Sequence, residues 1–220
     1  MEQILLIDKP AGISSFGVVA KVRKKLSQEL GVKKLKVGHT GTLDPFATGL
    51  LILLVGKATK KSNDFLKLDK EYIAEIKLGE TSTTGDPEGI VQKTYSGPAP
   101  SPETIKKITQ NFVGEITQKV PAFSAVKING QRAYKLARQG QTIDTPTRKI
   151  HIYNIEILNY TWPTLKIKTQ VSSGTYIRTL GEDIGRSLGT GAYLTSLRRT
   201  KIANYSVKKS ITLEKYLKSH

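Results

Sequence analysis

At 220 residues the chain is long enough to bury one sizeable core, as a single α/β domain or a domain with a small insertion. Its 35 Lys and Arg against 18 Asp and Glu leave a formal charge of +17, an excess that predicts a polyanionic partner. Membrane is disfavoured as that partner, because there is no bilayer-length apolar run and no long basic amphipathic helix with aromatic anchors. The start, MEQILLIDKP, lacks a basic n-region, and there is no cysteine, so a cytoplasmic, nucleic-acid-binding protein is expected. His39, His151 and His220 are too far apart in sequence for a metal motif, and no Walker or dinucleotide loop is present. Catalysis, if any, is expected to run on side chains alone, with no cofactor.

Gln3 to Ile7 reads as a short buried strand, closed by a turn over Asp8 to Gly12. Ser14 or Ser15 can cap a helix whose Val18, Val19, Val22 and Leu26 keep helical spacing. Lys21, Arg23, Lys24 and Lys25, with Lys33, Lys34 and Lys36 behind them, form either a solvated face or a surface for phosphates. Residues 36 to 56, KVGHTGTLDPFATGLLILLVG, pass from a glycine-punctuated polar loop into the apolar run Leu50 to Val55, a buried strand. Asp44 sits in that loop before Pro45. From the residues alone it is either ordinary turn chemistry, accepting backbone N–H groups, or a carboxylate held against a core strand for catalysis.

Gly56 to Leu66 reads as helical and basic, and Lys70 to Gly79 as a strand with Tyr72, Ala74, Ile76 and Leu78 on one side. Tyr72 reads as core by default. The segment GETSTTGDPEG is a loop or hairpin turn, and residues 92 to 101 a connector. Ser101 and Pro102 start a helix with Ile105, Ile108 and Phe112 inward, expected to end at Gly114. A strand, a turn at Asn129 and Gly130 and a short basic helix through Arg138 follow. Two β runs, Arg148 to Leu158 and Leu165 to Ser172, flank a hairpin at NYTWPT. After a turn at Gly174 another helix runs through Leu188 to a glycine-rich loop. A final short helical pattern lies in ITLEKYLKS.

The gapless stretch GHTGTLDPFATGLL closely resembles the catalytic loop of the TruB family of tRNA pseudouridine synthases, in which the aspartate is catalytic. DKPAGISS, KEYIAEIKLG, the stretch from GEITQKVPAFSAVKING to QRAYKLARQGQ, and SSGTYIRTLGEDIG resemble further motifs, so the likeness runs from about Leu5 to about Ile202. The resemblance implies a pseudouridine synthase fold of mixed α/β (α+β) type, with a mainly antiparallel central sheet flanked by helices and a basic cleft. It implies one catalytic domain over residues 1–220, with an RNA-gripping segment at about 115–147. It also implies isomerisation of uridine to pseudouridine in the T-loop of tRNA, position 55.

Among site residues, the resemblance makes Asp44 catalytic, stacks Tyr72 on the target base and pairs Arg178 with Asp44. It sets His39 in the space left by the flipped base and lines the pocket with Tyr176 and Leu197. It has Lys9 support the loop from beneath, with Pro10, while Lys127 and Arg138 belong to a stretch that either grips an RNA backbone or is simply a charged exposed helix. From the residues alone, Arg178 can equally neutralise another carboxylate. The chain departs from the family pattern at KIANYS, where Ala203 and Tyr205 stand for a usual glycine and phenylalanine. With the sequence stopping at His220, the C-terminal PUA-type domain general in bacterial members is expected to be missing. A monomer acting on the T-arm of tRNA without a protein partner is the expectation. The alternatives are a non-catalytic RNA-binding or folding protein and a guide-RNA-dependent relative.

Overall fold

The computed structural model describes residues 2–128 and 130–219; Asn129 of the expected turn lies outside them. In chain order the elements are β1 (Glu2–Lys9), α1 (Ser15–Glu29), β2 (Val37–His39), β3 (Thr48–Gly56), a 3₁₀ turn (Lys57–Lys61), α2 (Ser62–Leu66), β4 (Lys70–Leu78), β5 (Glu80–Ser82), β6 (Val91–Lys93) and α3 (Pro102–Gln110). There follow β7 (Gly114–Lys119), β8 (Lys127–Ile128), β9 (Gln131–Arg132), α4 (Ala133–Arg138), β10 (Thr147–Thr161), β11 (Thr164–Val171), α5 (Ile177–Ser187), β12 (Ala192–Ile202), β13 (Tyr205–Ser206), β14 (Ile211–Thr212) and α6 (Leu213–Lys218). This is the expected mixed α/β fold, mainly antiparallel and flanked by helices. The chain forms two compact units, Met1–Ile73 with Leu197–His220, and Ala74–Ser196.

The first unit is built on β3. Its apolar run is uninterrupted because both faces are buried, as alternation along a strand demands. Leu51, Leu53 and Val55 join Ile7, Val18, Val19, Val22 and Leu26 and the α6 residue Leu213. Leu50, Ile52 and Leu54 join Ala58, Phe65 and Ile202. Strand β1 runs antiparallel to β3 from Glu2 opposite Gly56 to Lys9 opposite Gly49, and β14 runs parallel to β1. The Ser14 hydroxyl caps α1 by accepting from the Gly17 N–H.

Three residues read as loop, Val37 to His39, form β2 against β3. Backbone pairing with an already buried strand overrides the weak strand propensity of VGH. The helix expected to reach Gly114 ends at Gln110, and Gly114 instead opens β7. Ala203 carries φ +44, the left-handed value that favours glycine, which gives the family's usual glycine there a conformational reason. Tyr205 still packs as an aromatic, its ring 5.7 Å from Phe65.

In the second unit β10 and β11 form a long hairpin, with β7 antiparallel on the outer side of β10. The β4 residues alternate between buried and half-buried, as the sequence pattern requires, with Ala74, Ile76 and Leu78 inside. Helix α5 lies close to β12. A Cβ on Gly185 would sit 2.5 Å from the Ala192 backbone nitrogen, so only glycine permits that approach.

Candidate active site

In the first unit the loop between β2 and β3 presents Asp44, half-buried, and its shape is set by bonds to its neighbours. The Ser15 hydroxyl donates to the Leu43 carbonyl and accepts from the Leu43 N–H, both at 2.8 Å. On the other side of Asp44, the Pro45 carbonyl accepts from the Gly12 N–H at 2.9 Å and from Lys9 Nζ at 3.1 Å. Lys9 is fully buried and also donates to the carbonyls of Pro10 and Ile13. Asp44 is therefore flanked by two residues whose backbones are fixed by the turn and helix cap that follow β1. Pre-ordering of this kind keeps a carboxylate in one geometry without a rearrangement during reaction.

A second brace was not legible from sequence. Arg199, 1 % exposed on β12, donates through Nε to the Leu50 carbonyl at 2.8 Å and through its terminal nitrogens to Gly41 at 3.1 Å and Thr42 at 3.5 Å. It ties the start of the Asp44 loop to the strand that leaves it. The signal available was the doublet Arg198–Arg199, since adjacent strand residues face opposite sides and one must point inward. Arg198 faces the other way, onto the Asp8 carboxylate at 2.7 and 3.1 Å. Strand β12 runs parallel to β3 at this point, pairing Arg198 with Thr48 and Arg199 with Gly49. Leu197, 6 % exposed, immediately precedes that pairing.

His39 lies at the end of β2. Burial, and then the Arg199 guanidinium, hold its imidazole below the ordinary range, so it is neutral at pH 7. Tyr72 is 8 % exposed on β4, beside β12, where Thr200 donates to the Glu71 carbonyl.

Arg178 and Tyr176 belong to the second unit. Arg178 is 5 % exposed at the start of α5; its guanidinium donates to the carbonyls of Thr84 at 2.8 Å and Phe123 at 2.7 Å. It also lies 3.3 Å from the carboxylate of Asp86, itself buried. The loop of GETSTTGDPEG thus holds the arginine through Thr84 and Asp86. Tyr176 is fixed by Gln118, whose amide accepts from the Tyr176 N–H and donates to its carbonyl. The Arg148 guanidinium stands 5.5 Å from the Tyr176 ring centre. Lys127 on β8 and Arg138 at the end of α4 are both exposed, Arg138 lying 5.8 Å from the Tyr134 ring.

Comparison with known proteins places these motifs. Residues 23–177 match the model of the TruB family pseudouridylate synthase N-terminal domain. The chain belongs to the TruB family of pseudouridylate synthases. Residues 178–219 match the model described as the tRNA pseudouridylate synthase B C-terminal domain. The tRNA pseudouridine synthase B of Phocaeicola vulgatus is 42% identical over 214 residues, covering 97% of this chain and 91% of that protein. The one from Aquifex aeolicus is 44% identical over 221 residues, covering 100% of this chain and 75% of that protein. Among solved structures, a Cbf5-Nop10-Gar1 complex contains a chain 32% identical with a TM-score of 0.73 over 96% of this chain. An H/ACA RNP bound to a substrate RNA containing 2'-deoxyuridine contains one 29% identical with a TM-score of 0.70. This family member spans 52% and 51% of the lengths of those two chains.

Proposed function

We propose that the protein isomerises uridine to pseudouridine at position 55 in the T-loop of tRNA, acting alone as one catalytic domain, without a cofactor. The observation that carries this reading is the Asp44 loop, fixed on both sides of the carboxylate inside a family of pseudouridylate synthases. The choice of tRNA rests on relatives named tRNA pseudouridine synthase B, 42% and 44% identical over nearly the whole chain. The guide-RNA reading has weaker support, since the neighbours from H/ACA and Cbf5 assemblies are 29% and 32% identical. A cytoplasmic monomer fits the same reading; among the described residues no helix is long and apolar enough to cross a membrane.

The chemistry breaks the bond from ribose C1′ to N1 and forms one from C1′ to C5; a proton leaves C5 and one is gained at N1. No electrons are gained or lost overall. The target nucleotide is first flipped from its stack, at a cost of a few kcal/mol. Neutral His39 enters the space it leaves, which an imidazolium would enter only at a desolvation cost. Asp44 then acts on the sugar, either as nucleophile or as the base that takes a ribose proton while the glycosidic bond breaks. Tyr72 stacks on the detached base, with Tyr176 and Leu197 lining the pocket. Tyr72, or Asp44 through solvent, removes the C5 proton. Arg178 pairs with Asp44 to keep it ionised and oriented, while Lys9 holds the loop and Lys127 and Arg138 grip the RNA.

Release of tritium from an unmodified tRNA transcript labelled at uridine C5 tests this reading. The wild-type protein is expected to release label from the T-loop. Asp44→Asn is expected to lower turnover by at least about a thousandfold, the scale of losing a covalent or general-base group, with RNA affinity nearly kept. Equal turnover by the two proteins removes Asp44 from the mechanism. Tight binding with no release by wild type favours a binding protein.

A further inference from the structure

Two adjoining cavities open beside α1 and β2 in the first unit, of about 450 and 280 Å³, and share Arg23 and Leu35. The first also takes in Lys36, His39, Thr59 and Ser62. The second adds Lys24, Ser27, Lys33 and Lys34. Among the described residues the two linings together carry five cations and no carboxylate. The chain as a whole has one acidic residue for roughly every two basic ones, so the omission is local and not a consequence of composition alone.

The cations are also uncompensated. Their neighbour Lys25, on the same helix, pairs with Glu29 and donates to the Ser219 carbonyl, and Lys61 pairs with Glu2. Arg23, Lys24, Lys33, Lys34 and Lys36 make no ion pair or side-chain hydrogen bond among the described residues. Five like charges crowded on two short segments repel one another, and an external anion relieves that repulsion. Neither lining contains a tyrosine, phenylalanine or tryptophan to stack a base, so the chemistry offered is for phosphate and not for a nucleobase. His39, at one end of the groove, stands five positions before Asp44 in the same loop.

We infer that this groove seats the sugar–phosphate backbone of the substrate RNA, with at least one phosphate in each cavity. It thereby positions the strand that reaches the Asp44 loop at His39. The inference rests on the RNA-modifying reading and extends it to a surface that meets the Asp44 loop only at its start, Gly38 and His39. Of the basic residues on α1, Arg23 and Lys24 serve RNA, and Lys25 serves the packing of α6, where it also lies 6.0 Å from the Tyr216 ring.

The test measures affinity for an unmodified tRNA transcript across a range of potassium chloride, together with tritium release at saturating RNA. Arg23→Gln/Lys36→Gln, which empties the shared wall and the first cavity of charge, is compared with Lys106→Gln/Lys107→Gln on the exposed face of α3. The groove variant is expected to bind about tenfold more weakly at low salt, with its log–log salt slope shallower by about 1 to 2, one unit per lost phosphate contact. The α3 variant is expected to keep the wild-type slope and the wild-type turnover at saturating RNA. RNAs carrying single neutral methylphosphonates add a second readout: at least one substitution that weakens wild type, at the phosphate seated by Arg23 and Lys36, should leave the groove variant unaffected. Equal slopes for the two variants, or the same methylphosphonate profile in wild type and groove variant, overturn the inference. Absence of tritium release by wild type counts against the catalytic reading alone, because slopes and profiles are still read from binding.

Discussion

Two cations buried in the first unit, Arg199 against the Asp44 loop and Lys70 on β4, have different environments. Arg199 is satisfied by three carbonyl oxygens, as a permanently charged fork can be. Lys70, whose ammonium donates to the carbonyls of Leu66 and Leu68, is pushed down to about 8 from its usual 10.5 by burial and then by the Arg199 charge. Between about pH 8 and 10.5 the folded protein therefore binds fewer protons at this site than the unfolded chain, and stability rises with pH through that window. Denaturant titrations of wild type and Lys70→Met are expected to diverge in wild type's favour from pH 8 to pH 10. Parallel profiles would mean that Lys70 stays charged throughout. Asp44, Tyr72 and Arg178 could be named from their motifs, whereas Arg199 could not, because no local pattern says which member of an arginine doublet turns inward.

At the scale of elements, β3 carries the first unit, and its junction with the loop depends on Gly49. That residue has φ +102, and a Cβ there would stand 2.3 Å from the Arg199 carbonyl oxygen. Neither backbone can retreat without breaking the parallel pairing of β3 with β12. Gly49→Ala is expected to cost at least about 2 kcal/mol, combining left-handed strain with backbone overlap, read from the urea midpoint at constant m-value. A shift under about 0.5 kcal/mol, the range of innocuous surface changes, would mean that the junction yields easily. Strand β4 and helix α1 were legible because periods of 2 and 3.6 are visible wherever one face is buried. Strand β12 was not. Its burial follows no clean alternation, and its basic residues are held by partners distant in sequence, Asp8 for Arg198 and the Asp44 loop for Arg199.

For the whole molecule, a net charge of +17 governs how it meets RNA. Affinity for tRNA is expected to fall steeply between 50 and 200 mM salt, by about a thousandfold if six phosphates are neutralised. A fluorescence-anisotropy series would measure it, and an affinity flat across that range would exclude phosphate contacts as the main source of binding. By itself the sequence determined the class of partner, the mixed α/β class, the family and the loop that bears Asp44. Charge balance, periodicity and contiguous motifs are properties of neighbours along the chain. The tertiary structure alone decided which cations are braces, which are paired and which are left facing solvent. It made Arg199 a clamp on the loop, joined Lys25 to Glu29 and the C-terminal helix, and left Arg23 and Lys36 lining one groove. A lysine or arginine carries the same charge in any of these settings. What differs is the carbonyl, carboxylate or open water that folding brings within about 3 Å of it, from residues far away in sequence.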